Sequence, residues 1–213
     1  MRFDVVTIFP YIFDSYFGES LFKRAQKNGI VKISIHNLRD FTSDKHRKVD
    51  DKPFGGGPGM VLKIQPIYKA VRSIKSKVKD KKSKVRTILF STRGKKMDAK
   101  TAQRLSKYKQ LILICGRYEG VDERVAKYVA DEEVSIGDYV LSGGELPAMA
   151  LIESVSRFLP GFLGKRESLE EIKGSYPVYT RPEVFKSGRK KLSVPKVLLS
   201  GDHRKIGEWR EKK

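Results

Sequence analysis

Residues 135–147 read SIGDYVLSGGELP and pass without a break into the apolar helical segment Ala148–Leu159. Three glycines and a tyrosine stand there directly before a helix start. Glycine lacks a Cβ, so such a backbone can take positive φ and lie flat against a ligand. Gly143-Gly144 ahead of Glu145-Leu146-Pro147 reads as the helix N-terminus, where proline is tolerated in the first turn. Free amides at that end can hold the polar edge of a ligand.

Composition narrows the ligand's surroundings. The chain has 213 residues, 39% of them hydrophobic, enough for one medium domain or one domain with a small appendage. Its 45 Lys+Arg against 25 Asp+Glu give a net charge of +20. A field of that size favours polyanions, nucleic acid first, although lysine on every solvated face would give the same total. The single cysteine, Cys115, excludes an internal disulfide framework and reads as a buried structural thiol in the apolar run Leu111–Cys115. His36, His46 and His203 are scattered without metal-ligand spacing. No run approaches the length of a membrane span, and MRFDVVTIFP lacks the order of a secretory signal, so a cytoplasmic protein is expected.

Short β-branched runs alternate with helical patterns. Strands are expected at Phe3–Ile8, Val31–Leu38, Thr87–Ser91, Leu111–Cys115 and Glu133–Ile136, with helices at Tyr11–Gln26, Gln65–Ile74, Asp98–Lys107 and Asp122–Val129. That alternation predicts an α/β fold, a parallel sheet with helices on both faces. Ligands in such folds sit at the carboxyl ends of the strands. Three glycine-containing loops leave those ends: Ser91–Lys96, Gly116–Gly120 and Gly137–Gly144. Arg72–Arg86 is strongly basic and reads equally as a solvated helix end or a phosphate-contacting patch. After Pro160 the pattern changes to a polar linker, 161–176, and a small basic tail, 177–213, for which Val194–Leu199 and Ile206–Trp209 suggest helices.

Asp50–Met60 (DDKPFGGGPGM) is a second glycine-rich segment, but it lacks the Lys-Ser/Thr of a P-loop, and the chain has no G-x-G-x-x-G. Gly116–Arg124 (GRYEGVDER) is a glycine-bounded turn in which Asp122 suits a helix cap. In order along the chain, Asp50–Met60, Gly116–Arg124, Ser135–Pro147, Ser154–Phe158 (SVSRF) and Tyr179–Val184 (YTRPEV) closely resemble the bacterial tRNA (guanine-N1)-methyltransferases, the TrmD family of the SPOUT superfamily. The resemblance reaches from the N-terminus to about Trp209.

The resemblance implies what spacing alone does not. It implies a SPOUT-type knotted sheet over residues 1–160, a shortened C-terminal tRNA-binding helical domain over 177–213, and an obligate homodimer with the active site across the interface. S-adenosylmethionine would lie in the knot against Ser91, Gly116, Tyr118, Ile136, Gly137, Tyr139, Leu141, Gly143, Gly144 and Pro147. The implied substrate is guanosine 37 of tRNA, methylated at N1, with Asp50, Arg117 and Glu119 as substrate-binding residues and Mg²⁺ as an accessory ion. Arg157, within SVSRF, matches the arginine that supports O6 of guanine. The family's aspartate base has no counterpart in the linker, which leaves Glu170 and Glu171 as candidates. Thr92-Arg93 also stands where Pro-Gln is common, and Ser175 where a second acid is usual. The enzyme is the preferred reading; the alternative is a SAM- and tRNA-binding homologue with weak or no N1 methylation, a module of a larger fusion protein.

Overall fold

In a computed structural model, which describes residues 1–78, 80, 82–164, 169, 172 and 174–211, the apolar runs pair into one parallel sheet. The strands are β1 (Arg2–Thr7), β2 (Lys32–Asn37), β5 (Val85–Lys96), β6 (Gln110–Ile114) and β7 (Glu132–Ser135), in the order β2-β1-β6-β5-β7. The short strands β3 (Asp50–Asp51) and β4 (Val61–Leu62) pair antiparallel apart from it. Side chains alternate along a strand, so each strand feeds two cores. Phe3, Val5, Ile88, Phe90, Leu111, Leu113 and Val134 face one side and pack against α1 (Asp14–Phe17), α2 (Ser20–Lys27), α4 (Ala99–Leu105) and α6 (Glu145–Ser156). Val6, Leu89, Ile112 and Ile114 face the other side, under α3 (Ile64–Ser76) and α5 (Glu123–Tyr128). On α3 the buried residues Ile67, Ala70, Val71 and Ile74 fall at helical spacing. Burying each of its larger aliphatic side chains contributes about 1.5–3 kcal/mol.

Where the elements differ from expectation, a local cause is visible. Tyr11–Gln26 is not one helix: a 3-10 turn (Pro10–Phe13) and α1 end at Gly18, and α2 begins only at Ser20. Glycine is the weakest helix former after proline, and the Gly18 amide closes α1 by donating to the Asp14 carbonyl. Ser91–Lys96 is not a free loop. β5 runs on to Lys96, but Phe90 and Lys95 both stand opposite Val134, so residues 91–94 bulge out of the strand. A Cβ on Gly94 would sit 2.5 Å from the Val134 amide nitrogen, which is why this bulge returns through glycine.

The chain divides into two compact units, Met1–Leu169 and Glu170–Lys213. Phe162, inside the segment read as polar linker, belongs to the first and stacks edge-on against Phe22 at 5.2 Å. The second unit holds a hairpin that the sequence did not suggest, β8 (Val184–Ser187) with β9 (Lys190–Ser193), turning through Gly188 at φ 59°. Two helices follow, α7 (Lys196–Leu199) and α8 (His203–Glu211), and the ring of Trp209 lies 6.3 Å from that of Tyr179.

One carboxylate lies inside the sheet. Asp4 on β1 has no water access and accepts from Arg2 (2.6 Å, two nitrogens), from Gln110 Nε2 on β6 (2.7 Å), and meets His36 Nε2 on β2 at 2.7 Å. Burial pushes its pKa up, but the hydrogen bonds and charges of Arg2 and His36 prevail, and the carboxyl sits below the ordinary aspartate value. A depressed carboxylate stabilises the fold above its unfolded pKa, and that contribution is lost as pH falls through the folded pKa. Asp4→Ala is therefore expected to cost about 3 kcal/mol at neutral pH, because three donors lose their partner. Urea denaturation should show that gap narrowing as pH drops below about 4.

Candidate active site

The carboxyl edge of the sheet opens into a cavity of about 450 Å³ between three segments: the β5 bulge, the turn after β6 and the loop after β7. All ten residues expected at a cofactor, Ser91, Gly116, Tyr118, Ile136, Gly137, Tyr139, Leu141, Gly143, Gly144 and Pro147, line it, as do Arg117 and Glu119. Five of the lining residues are glycines, which offer only backbone. The amides of residues 138–142 make no hydrogen bond within the protein among the described residues. Tyr118 holds φ 60°, a left-handed value rare for a bulky residue and typical of turns shaped for function.

The cavity floor is set by a polar network that the sequence did not reveal. Glu145, in the first turn of α6 and 1% exposed, accepts from Thr7 Oγ1 at 2.7 Å and from Arg117 Nε at 2.8 Å. Arg117 also donates to the Ser142 carbonyl at 3.3 Å, and its guanidinium lies 4.7 Å from the Phe9 ring centre. The end of β1, the turn after β6 and the start of α6 are thus tied at one carboxylate. The only sequence signal was an acid in the first turn of a helix, which is ordinarily a solvated dipole partner. Gly144 presses on the backbone here: a Cβ would lie 2.6 Å from Cys115 Cα. Burial first, then the Glu145 charge, pushes the Cys115 thiol well above its usual range, so it is an inert packing group.

The two glycine-rich segments meet at the rim. The Glu119 amide donates to the Met60 carbonyl (3.0 Å), Leu62 to Gly120 (3.0 Å) and Asp122 to Leu62 (2.9 Å). The Glu119 side chain crosses directly over Gly59, where a Cβ would stand 2.5 Å from its Oε1. Asp50 pairs with Leu62 at the base of this loop and lies outside the cavity wall. Asp122 caps α5, accepting from the Arg124 amide at 3.0 Å.

Arg157 is not at the cavity. It stands at the C-terminal end of α6, about 18 Å along the axis from the end that forms the floor. It is partly buried, and its guanidinium has no partner among the described residues. Glu170 and Glu171 lie outside the described residues. Among the described residues no three His, Cys, Asp or Glu gather to hold a metal ion, and no helix is long and apolar enough to cross a membrane.

A parallel α/β sheet with a glycine-rich cavity at its carboxyl edge, on a strongly basic chain, defines a class of protein with room for a small polar ligand and a surface that favours an anionic partner. Comparison narrows this class. The family described as tRNA (Guanine-1)-methyltransferase TrmD matches residues 1–213, and the chain belongs to it. A tRNA (guanine-N(1)-)-methyltransferase of Dictyoglomus turgidum is 51% identical over all of this chain and 84% of its own length. One from Clostridioides difficile is 48% identical over 99% of this chain and 90% of its own. The crystal structure of the tRNA (m1G37) methyltransferase from Aquifex aeolicus superimposes with a TM-score of 0.82 at 42% identity, covering 98% of this chain and 87% of that one.

Glu145→Ala is expected to cost about 3 kcal/mol, because the Arg117 cation and the Thr7 hydroxyl lose their acceptor together. Glu145→Gln, which keeps an acceptor oxygen, should cost less; no loss at all for this variant in urea melts would remove the charge from this account.

Proposed function

We propose that this protein transfers a methyl group from S-adenosylmethionine to N1 of guanosine 37 in tRNA, as a cytoplasmic homodimer. The carrying observation is that three loops separated in sequence converge, with all ten expected residues, on one cavity in a chain whose full-length relatives bear the enzyme's name. Those names favour the enzyme over a binding homologue without activity. We take residues 1–160 as the knotted cofactor domain and 177–213 as the tRNA-binding tail.

The cavity suits the cofactor on its own evidence. S-adenosylmethionine is cationic at sulfur and carries a methyl group on a sulfonium that leaves as a neutral thioether. Glu119, Glu123 and Glu133 line the cavity, and the buried Glu133 Oε2 has no hydrogen-bond partner among the described residues, its one charged neighbour being the Arg93 guanidinium at 4.0 Å. The unpaired amides of residues 138–142 can receive the acceptors of a purine edge.

At neutral pH guanine N1 carries a proton, so a base must take it while a cation meets the charge that grows on O6. Arg157, whose guanidinium has no partner among the described residues, is assigned to O6. The base is assigned to Glu170 or Glu171. Asp50, Arg117 and Glu119 sit at or near the rim where a base would enter, with Arg117 held rigid by Glu145. Mg²⁺ remains an accessory in this scheme, without an assigned ligand.

The position of Arg157 is the strongest support for the dimer. A residue about one helix length from its own cavity can serve a cavity only across an interface. α6 is apolar nearly all round, yet Leu146 is 58% exposed, and along it Tyr11, Ile12 and Tyr16 also face solvent, with Tyr16 bonded to Glu153 at 2.9 Å. Exposed apolar side chains on and near one helix are what a protein contact would cover.

Nucleoside analysis after incubation with S-adenosylmethionine and tRNA should yield 1-methylguanosine; methylation at another atom would overturn the reading. Arg157→Ala should lower kcat by about 10²–10³ while cofactor affinity holds. Gly143→Val should abolish cofactor binding in calorimetry, because its side chain would strike Arg117 and Glu145 and displace the loop. Mixing these two inactive variants should restore about a quarter of wild-type activity, since half the dimers would each carry one intact composite site. No recovery on mixing would place Arg157 in service of its own chain.

A further inference from the structure

The basic stretch that begins at Arg72 has a role still to be found. On α3, Tyr68, Arg72 and Lys75 are spaced by four and three residues and share one face. Across from them α5 ends at Tyr128, followed by Val129. A groove of about 240 Å³ lies between the two helices, lined by Tyr68, Val71, Arg72, Lys75, Tyr128 and Val129. Tyr128 is 77% exposed and Tyr68 49%, and among the described residues no carboxylate lines the groove. Arg72 and Lys75 have no ion pair among the described residues, whereas Arg86, Arg93, Arg104, Arg117 and Arg124 each have an acidic partner.

We propose that this α3–α5 groove is a second contact for the RNA substrate, taking an unpaired nucleotide against the tyrosine rings and its flanking phosphates on Arg72 and Lys75. The proposal rests on the tRNA reading given above and adds a place on the surface to it. Exposed rings offer stacking faces to any base, and unpaired cations replace the counterions of a phosphate backbone. A second copy of the chain fits poorly, because only two valines form the apolar floor and burying Arg72 and Lys75 beside them would need carboxylates to pair with. The groove shares helix α5 with the cavity. α5 puts Glu123 and Ala126 into the cavity wall and Tyr128 into the groove, over a helix of only about 9 Å. An RNA strand that delivers a base to the cavity therefore passes within reach of the groove.

The test measures binding of an unmodified tRNA transcript to the intact protein across a range of salt. Charge reversal in Arg72→Glu with Lys75→Glu should weaken binding about tenfold and flatten the dependence on salt by one to two ion equivalents, roughly. Tyr68→Ala with Tyr128→Ala should weaken it several-fold, roughly, and the Phe pair should restore it, because stacking needs the ring and not the hydroxyl. Cofactor affinity and kcat at saturating tRNA should stay at wild-type values in all of these. If wild type binds and methylates tRNA while the variants match it in affinity and salt slope, the groove proposal alone fails. If wild type binds no tRNA, the groove and the functional reading fail together. Loss of the dimer in sedimentation of the variants would make the groove a protein interface and overturn the proposal.

Discussion

The geometry at the carboxyl edge depends on a single carboxylate held out of water. Burying Glu145 carries a desolvation cost of several kcal/mol, which only complete pairing offsets. Both of its oxygens are engaged, one by a hydroxyl from β1 and one by a guanidinium from the turn after β6. That pairing fixes where α6 starts, and α6 in turn carries the apolar core residues Leu151, Ile152 and Val155 over the sheet. The same contact draws the loop so close to Cys115 and Gly116 that only glycine fits at 144. Cavity shape, helix direction and the demand for glycine are consequences of one ion pair and its hydroxyl partner.

The sheet was legible because parallel strands buried on both faces are written as continuous β-branched runs, and β6 (QLILI) is the plainest case. Helix α3 was legible from its period, and the cavity loops from their glycines. What stayed hidden depends on neighbours remote in sequence. The extension of β5 past Ser91 is enforced by the backbone of Glu133 and Val134, some forty residues on, and no local pattern around Gly94 announces it. Thr7 and Glu145 are 138 positions apart, so their bond has no spacing to read. The hairpin at 184–193 was masked by its composition: Phe185 and Leu192 face each other across it, but lysines surround them and all eight strand residues are exposed.

Two recognition chemistries are kept apart on this surface. The cavity is lined by backbone, tyrosine and three glutamates, and its arginines are neutralised: Arg117 by Glu145 and Arg93 by Glu123 at 2.7 Å. Cations without an ion pair among the described residues lie outside it, as at Arg72 and Lys75. A cationic ligand is thereby favoured inside and a polyanion outside, although the chain as a whole is strongly basic. Pairing, more than residue count, decides which arginines are available to RNA.

The same reasoning explains why one helix can serve two sites. α6 begins at the cavity with Gly144 as its cap and ends, about 18 Å on, at Arg157, whose guanidinium has no partner among the described residues. In the proposed homodimer a two-fold axis perpendicular to α6 would set the two copies antiparallel, so that the first turn of one would face the last turn of the other. Each Arg157 would then be delivered to the partner's cavity by the helix whose opposite end shapes its own. A monomer would hold the cofactor loops in full and still lack the cation for O6. In this arrangement methyl-donor binding belongs to the chain and turnover to the pair.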